Sequence, residues 1–422
     1  MLIFTPNPLS HLRLHKQRGA VLMVMLVILI IGATAMLVSS LNSATLLSTR
    51  NSNTSMALAQ AKMALIGYSA AGNTPGQLLC PENTALIGTS TEGSASGSCT
   101  LPAIGRLPWR TLGIGPLRDG NGDLLWYAVS PGFRNSPINS DIPAQLTIDG
   151  VSSSAVAIIF SPGPPINGQS RPIPTSAIPP DVTQYLDLSN NDGDNTFVTS
   201  GSVNTFNDQL LPVTHDDLFH LVEKRVTKEV VNALNEYFCG AGNINPAGGC
   251  LAAGGNRYYP RPADFTDTSC LGNGLISTMP MMNSCPSSGT NRGRIPAHPA
   301  TDWSPTSILN GANSSSWFQT NSWREVIFYA VATACTNGTS NCNGTGYLTL
   351  NNSTPPPLTN QKVVVIATGN ALSTTTPAQV RTNNVDKTSI NNYLEDENLS
   401  PLDDVYTKSA ALPFNDIAIS IP

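Results

Sequence analysis

From Ala20 to Leu41 the chain carries no charged residue, and this run follows directly on a basic flank of His11, Arg13, His15, Lys16 and Arg18. At helical rise such a run covers the roughly 30 Å of a bilayer core, and it outlasts the roughly 7 to 15 apolar residues of a secretory signal. Its end has no A-x-A cleavage pattern. The expectation is therefore a membrane-spanning helix over residues 20–42, kept as an anchor. Asp and Glu are absent before Glu82, so the positive-inside rule puts the short N-terminus in the cytoplasm and the rest of the chain in the periplasm.

The 422 residues leave enough chain after that helix for two domains. Only 12% are charged, against about 25% in ordinary soluble proteins, so the surface must be built from Ser, Thr, Asn and Gly, which suits an exported protein. The net charge of -5, with no Lys/Arg block outside the leader, gives no support for nucleic-acid binding. All eight cysteines, Cys80, Cys99, Cys239, Cys250, Cys270, Cys285, Cys335 and Cys342, lie beyond the anchor, where an oxidising compartment makes disulfides the default. No C-x-x-C or Cys/His cluster has zinc spacing.

After the anchor, Ser43 to Tyr68 lacks proline, and Met56, Ala59, Met63 and Ile66 recur at helical steps. This predicts one long helix running on from the membrane span. A Gly-rich turn then feeds a strand at Leu124 to Val129, and apolar runs at Ala155 to Phe160 and Leu210 to Val213 sit between Pro/Gly/Asn clusters, which suggests an antiparallel sheet. A second helix is capped by Thr214, with Asp217 three residues on, and carries Phe219, Val222, Val226, Val230, Ala233 and Tyr237 on one face before Gly240 ends it.

The part of the chain after this cap repeats the part before it. NALNEYFCGAGN (Asn232 to Asn243) echoes MALIGYSAAGN (Met63 to Asn73), and Gly105-Arg-Leu-Pro corresponds to Gly293-Arg-Ile-Pro. LLWYAVS from Leu124 corresponds to VIFYAVA from Val326, VAIIF from Val156 to VVVIA from Val363, and QYLDL with FND at Phe206 to NYLED with FND at Phe414. Ordered matches of this number indicate a duplicated module. Setting Cys80 and Cys99 against Cys250 and Cys270 predicts Cys80–Cys99 and Cys250–Cys270 as one bridge in two copies. Cys335 and Cys342 flank a turn short enough for a hairpin bridge, and Cys239–Cys285 is what remains.

Chemistry is sparse. There is no G-x-S-x-G, H-E-x-x-H, P-loop or G-x-G-x-x-G pattern, so no catalytic residue is assigned and the chain reads as a non-enzyme. His215, His220 and His298 are the histidines of the exported part, and the first two, at a helix start, read as solvated or capping groups. Two acidic loops put oxygen atoms at alternate positions, as calcium loops do: Asp119, Asn121 and Asp123 in one, Asp187, Asp192 and Asp194 in the other. Neither has Gly at the sixth position with Glu at the twelfth, so Asx turns are the reading and calcium the alternative.

The leader, Gln17-Arg18-Gly19 and the apolar run resemble the class III signal of type IV pilins and type II secretion pseudopilins. The resemblance implies cutting by a prepilin peptidase after Gly19, leaving Ala20 as the new N-terminus. Val24 stands where most members carry Glu, a departure shared with K-type minor pseudopilins and X-type minor pilins. Asp119, Gly122, Tyr127, Pro131 and Gly132 resemble the D-x-W-G-x-x-x-x-Y-x-x-x-P-G segment of major pseudopilins, with Asn121 in place of Trp, and several pseudopilins bind calcium. The expected architecture is α+β: a leader (1–19), a membrane-spanning helix (20–42), a first pilin-like sheet domain (43–213) and a second (214–422). The expected partners are other pilins or pseudopilins through the N-terminal helix, the prepilin peptidase and the inner membrane. The expected function is a minor subunit at or near a filament tip that primes assembly, ahead of an adhesive binding module and, further behind, a periplasmic hydrolase.

Overall fold

The computed structural model describes residues 18–135, 137–166, 168–202, 204–244, 249–251, 255–271, 285–297, 303–336, 342–351, 356–399, 403–408 and 413–422, with the backbone alone at 18–22, 35 and 37–44. Residues 1–17, most of the leader, and His298 lie outside them. The fold is α+β. Helix α1 (Arg18–Ala71) is one unbroken element of 54 residues. It is followed by β1 (Ala103–Arg106), β2 (Trp126–Val129), β3 (Leu146–Ile148), β4 (Val151–Ala155), β5 (Ala157–Ser161), β6 (Thr196–Phe197) and β7 (Gln209–Val213). Helix α2 (His215–Cys239) opens the second half, followed by β8 (Arg292–Arg294), β9 (Ile327–Val331), β10 (Leu348–Asn351), β11 (Leu358–Gln361), β12 (Val363–Ala367), β13 (Val405–Thr407) and β14 (Ile417–Ile421).

Both halves have one topology. A four-stranded antiparallel sheet in the order β1-β2-β5-β7 is matched by β8-β9-β12-β14, and a small sheet in the order β4-β3-β6 is matched by β11-β10-β13. Even the parallel pairing within the small sheet recurs, β3 with β6 and β10 with β13. The register makes the correspondence residue by residue: Gly105, Tyr127, Ile159 and Leu211 are cross-strand partners in the first half, and Gly293, Tyr329, Val365 and Ile419 in the second. Tyr127 donates its hydroxyl to the Leu79 carbonyl and Tyr329 to that of Pro260, each at 3.1 Å.

This register corrects one of the sequence matches. Ile159 aligns with Val365, so Ala157 corresponds to Val363 and Val156 to Lys362, one residue away from the alignment of VAIIF with VVVIA. A one-residue slip exchanges the faces of a strand. Because β5 and β12 are buried on both faces, their sequences are apolar throughout and give no alternation that would fix the phase.

Each helix covers one face of its own large sheet. Tyr127, Val129, Ala157 and Ile159 meet Ala57, Leu58, Ala61 and Leu65 of α1, while Trp126, Ala128, Ile158 and Phe160 point the other way onto Tyr185, Leu186 and Phe197. Helix α2 uses Leu218, Val222, Val226, Val230 and Leu234 in the same manner, and one continuous apolar cluster joins α1, α2 and both large sheets. The two copies therefore share a core across the boundary at 213/214. Lys62 of α1 pairs with Asp217 of α2 at 2.6 Å. Arg225 donates to the carbonyls of Ala70 and Gly72, giving the C-terminal end of α1 the cation that its own last turn lacks. The Thr214–Asp217 capping box forms as the sequence predicts, and Gly240 is the C-cap.

The expected membrane-spanning helix over 20–42, and with it the single-pass inner-membrane location, is not upheld. Among the described residues no helix is long and apolar enough to cross a membrane. In α1 the unbroken series of large apolar side chains with described surroundings is Met23 to Ile31, a rise of about 14 Å against the roughly 30 Å required. Gly32, Ala33 and Thr34 follow it.

All cysteines of the chain are paired: Cys80–Cys99, Cys239–Cys250, Cys270–Cys285 and Cys335–Cys342. Four bridges fit an oxidising periplasmic or extracellular setting. The expected Cys250–Cys270 and Cys239–Cys285 bridges are replaced, because the cysteine offsets do not follow the structural correspondence. Glu82 N–H donates to the Arg106 carbonyl and Ser96 N–H to that of Pro81; Ala263 does so to Arg294 and Ser288 to Pro262. Counting from these anchors, Cys80 corresponds to Arg261 and Cys99 to Asn291. The second copy joins those two positions by a hydrogen bond, Arg261 Nη1 to Asn291 Oδ1 at 2.7 Å. Its own bridges instead close loops that the first copy lacks.

Candidate functional site

Among the described residues an extended surface and two enclosed polar clusters stand out. The surface is the N-terminal part of α1. Every described side chain from Met23 to Thr34 and from Thr45 to Asn53 is exposed, and the body of the protein begins at Thr54. Met23 to Ile31 are 52–73% exposed and Met36 is 79% exposed, so the helix presents apolar side chains all round. The hydroxyl of Thr34 returns to the Ile30 and Ile31 carbonyls at 2.8 and 3.0 Å, and that of Thr49 to Thr45 at 2.9 Å. Turned inward on their own backbone, these groups leave the helix surface free for apolar packing. Gly19 and Ala20, the expected processing pair, lie in the first turn of α1, and Val24 is exposed without a charge.

The polar clusters repeat with the fold. In the first copy the buried Arg171 guanidinium donates to Asp123 at 2.5 Å, to the Gly163 carbonyl at 2.6 Å and to Gln169 at 2.7 Å, and it lies 4.8 Å from the Tyr185 ring. In the second, Arg381 donates to Asp141 at 2.6 Å, to the Gly369 carbonyl at 2.8 Å and to Gln379 at 3.2 Å, over the Tyr393 ring at 4.1 Å. Gln169 and Gln379 then bond Asp187 and Glu395, and Asp208 and Asp416 each accept from an asparagine, Asn190 and Asn398, at 2.9 Å.

One member differs in origin. The carboxylate on Arg171 comes from the turn just before β2, whereas the one on Arg381 is Asp141, supplied by the first copy. The same segment binds the second copy again through Ile138 N–H to Asn321 Oδ1 at 2.8 Å and Asn139 Nδ2 to the Asn321 carbonyl at 2.9 Å.

Burial sets the acidity of these groups. It pushes the Asp208 carboxyl up to about 7, and it raises Glu395 and, well above the ordinary carboxylate range, its neighbour Asp416. On α2 the fully enclosed Glu223 is pushed up to about 8 by burial, against the lowering influence of Ser140 and Arg381. The sequence holds the signal for these clusters in QYLDL, NYLED and the two FND triplets, whose function as hydrogen-bond scaffolds the apolar pattern does not reveal.

The sequence-level candidates are scattered by the fold. Asp119 uses Oδ1 for the Asn121 and Asp123 N–H groups and Oδ2 for Ser161 and Gly163, so both oxygens serve the turn and its anchor. Asp123 is taken by Arg171. Asp187 binds Gln169 and the Asn207 N–H, while Asp192 and Asp194 accept from the Asp194 and Thr196 N–H groups. Among the described residues no group of His, Cys, Asp and Glu is arranged to hold a metal ion. His215 stacks on Phe219 at 4.4 Å, with its Nδ1 3.6 Å from Asp216, and His220 is exposed. Comparison with known protein families, with curated proteins and with solved structures returns no match.

Proposed function

We propose that this chain is an exported structural subunit, an atypical minor pilin or pseudopilin with a duplicated pilin-like module, that joins a type IV pilus or type II secretion pseudopilus at or near its tip and primes assembly. The observation that carries the reading is the apolar helix surface from Met23 to Ile31, standing clear of the body. Covering nine such half-exposed side chains would contribute on the order of 10 kcal/mol, before the cost of association, and an exposed apolar surface of this size marks an interaction site. Helices of other subunits are the partners that match it. The Gln17-Arg18-Gly19 leader signature supports processing between Gly19 and Ala20. Val24 gives no carboxylate for the N-terminal amine of a neighbour, which favours an end position, where one flanking subunit is missing. The bulk of two fused modules favours it as well. In the first sheet scaffold Asp119, Asp123 and Asp187 are committed to internal bonds, which suits a structural body.

Quantitative mass spectrometry of sheared, purified filaments tests the reading. The chain should co-purify, processed to Ala20, at a small fraction of the major subunit. Absence from the filaments, or a stoichiometry near that of the major subunit, would overturn it. Normal filaments with lost surface attachment in a deletion strain would point instead to an adhesive module.

A further inference from the structure

The duplication allows the two copies to be compared place by place, and one place differs. The buried positions Thr54, Ala57, Leu58, Ala61 and Leu65 of α1 recur at the same spacing as Glu223, Val226, Thr227, Val230 and Leu234 of α2, so Glu223 stands where the first copy has Thr54. In the first copy this place is filled. The turn Asp119–Asp123 lies on α1, with Gly120 N–H donating to Thr54 Oγ1 at 2.9 Å and Asp119 accepting from Gly163 N–H at 3.2 Å. The fit is tight enough that a side chain on Gly120 would meet the Arg50 carbonyl oxygen at 2.2 Å.

In the second copy segment 138–141 of the first copy stands in place of that turn, with Asp141 on Arg381 and Ser140 beside Glu223, and it leaves a cleft. This cleft, of about 210 Å³, lies between the first turns of α2 and the segments after β12 and before β14, where Gly369 and Asn415 stand for Gly163 and Asn207. Its polar lining is Glu223, Asp216, His215, His220, Asn370 and Asn415; Phe219, Phe414 and Ile417 form apolar wall. Glu223 is only 4% exposed, yet its Oε1 has no hydrogen-bond partner, and neither has the buried Oδ1 of Asn415. Buried polar atoms without partners are costly, and here Glu223 Oε1, Asn415 Oδ1 and the ring nitrogens of His215 belong to the lining of one cleft.

We propose that this cleft binds an alkylammonium group, as a lysine side chain of a partner protein or as a free amine. The first copy shows that the place takes a hydrogen-bond donor, and the change from Thr54 to Glu223 adds a carboxyl that ionises when a cation sits beside it, which selects a cationic donor. An ammonium has three donors and no acceptor, which matches two orphan acceptors, and the Asp216 carboxylate at the mouth adds a second negative charge. The aromatic rings and Ile417 accommodate the alkyl stem. Two carboxylates here oppose an anion at the α2 N-terminus, whose capping N–H is already taken by Thr214.

Isothermal titration of the full chain with n-butylammonium chloride, and with the neutral n-butanol as its isostere, tests this. The ammonium should bind saturably at one site while n-butanol gives no saturable heat. Glu223→Gln should weaken binding at least tenfold, and Phe414→Trp, which fills the cleft without touching the carboxylate, should abolish it, each with an unchanged disulfide map as evidence of folding. Equal binding of n-butanol, or unchanged affinity in both folded variants, would overturn the proposal. A third titration with N-acetyl-lysine methylamide separates the sources: tighter binding than n-butylammonium assigns the site to a partner's lysine, weaker binding to a small amine.

Discussion

Replacing Arg381 by alanine removes a buried cation that joins the two halves of the molecule. Its side chain is 3% exposed and its partner Asp141, from the first copy, 17%. It donates to Asp141, the carbonyls of Gly369, Thr368 and Asn392, and Gln379, and it also lowers the energy of the ionised Glu395 and Asp416 nearby. Breaking a buried ion pair from one side costs about 3–5 kcal/mol because the other charge is left without compensation. Arg381→Ala should therefore destabilise the protein by about that much, and Arg171→Ala by less, since its partner Asp123 is 28% exposed and can be rehydrated. Urea titration followed by tryptophan fluorescence suits the comparison, because Trp126 is buried in the first copy and Trp323 in the second. Adding Asp141→Asn to Arg381→Ala should recover part of the loss, and the double-mutant cycle gives the coupling. An Arg381→Ala loss below about 1 kcal/mol, or a cycle without coupling, would refute the view that this residue clamps the copies together.

Stability should fall as pH rises from about 4 to 8, because burial raises the folded-state pKa of Asp208, Glu223, Glu395 and Asp416. For such groups the stabilisation is full below the unfolded value near 4 and is lost as pH passes the folded one. Glu223→Gln, which keeps the neutral form, should flatten the part of the curve between about 4 and 8 in thermal melts, and an unchanged curve would contradict this assignment. Non-reducing peptide mapping should return the four bridges described above. The double substitution Arg261→Cys with Asn291→Cys should form a fifth, equivalent to Cys80–Cys99, and raise stability by about 3 kcal/mol; two free thiols at those positions would refute the residue correspondence.

What the sequence discloses depends on whether a pattern has a phase. The α2 helix is legible because polar residues mark its outer face and Thr214 and Gly240 mark its ends, and the repeat is legible because Tyr127 and Tyr329, Tyr185 and Tyr393, and Phe206 and Phe414 recur in order. The strands β5 and β12 have no polar face, so their alignment slips by one. The cysteines of the second copy close its own loops, and pairing by offset does not hold because that copy places Arg261 and Asn291 where the first has its bridge. The buried arginines are silent for another reason: an arginine is usually solvated, and nothing local to Arg171 or Arg381 indicates that carbonyls of distant segments will surround it. The cleft at Glu223 becomes visible only when the copies are superposed in register, since neither the histidines nor Glu223 form a motif along the chain. The charge-free run from Ala20 to Leu41 marks a long helix, but a lack of charge is not a continuous span of large apolar side chains, and among the described residues the membrane span read from it is not upheld.

The central claim, that the exposed part of α1 is what joins this subunit to a filament, is tested most directly by complementation. A strain lacking the chain is supplied with the wild type or with Val27→Glu and Leu29→Glu together, and surface filaments are counted by electron microscopy. Both side chains are solvent-exposed in the isolated chain, at 52% and 71%, so the folded body and its disulfides should survive, whereas carboxylates in an apolar helix interface are costly. The account predicts that the wild type restores filaments and the variant, present at equal level with the same disulfide map, does not. Restoration of normal filament number by the variant would contradict it.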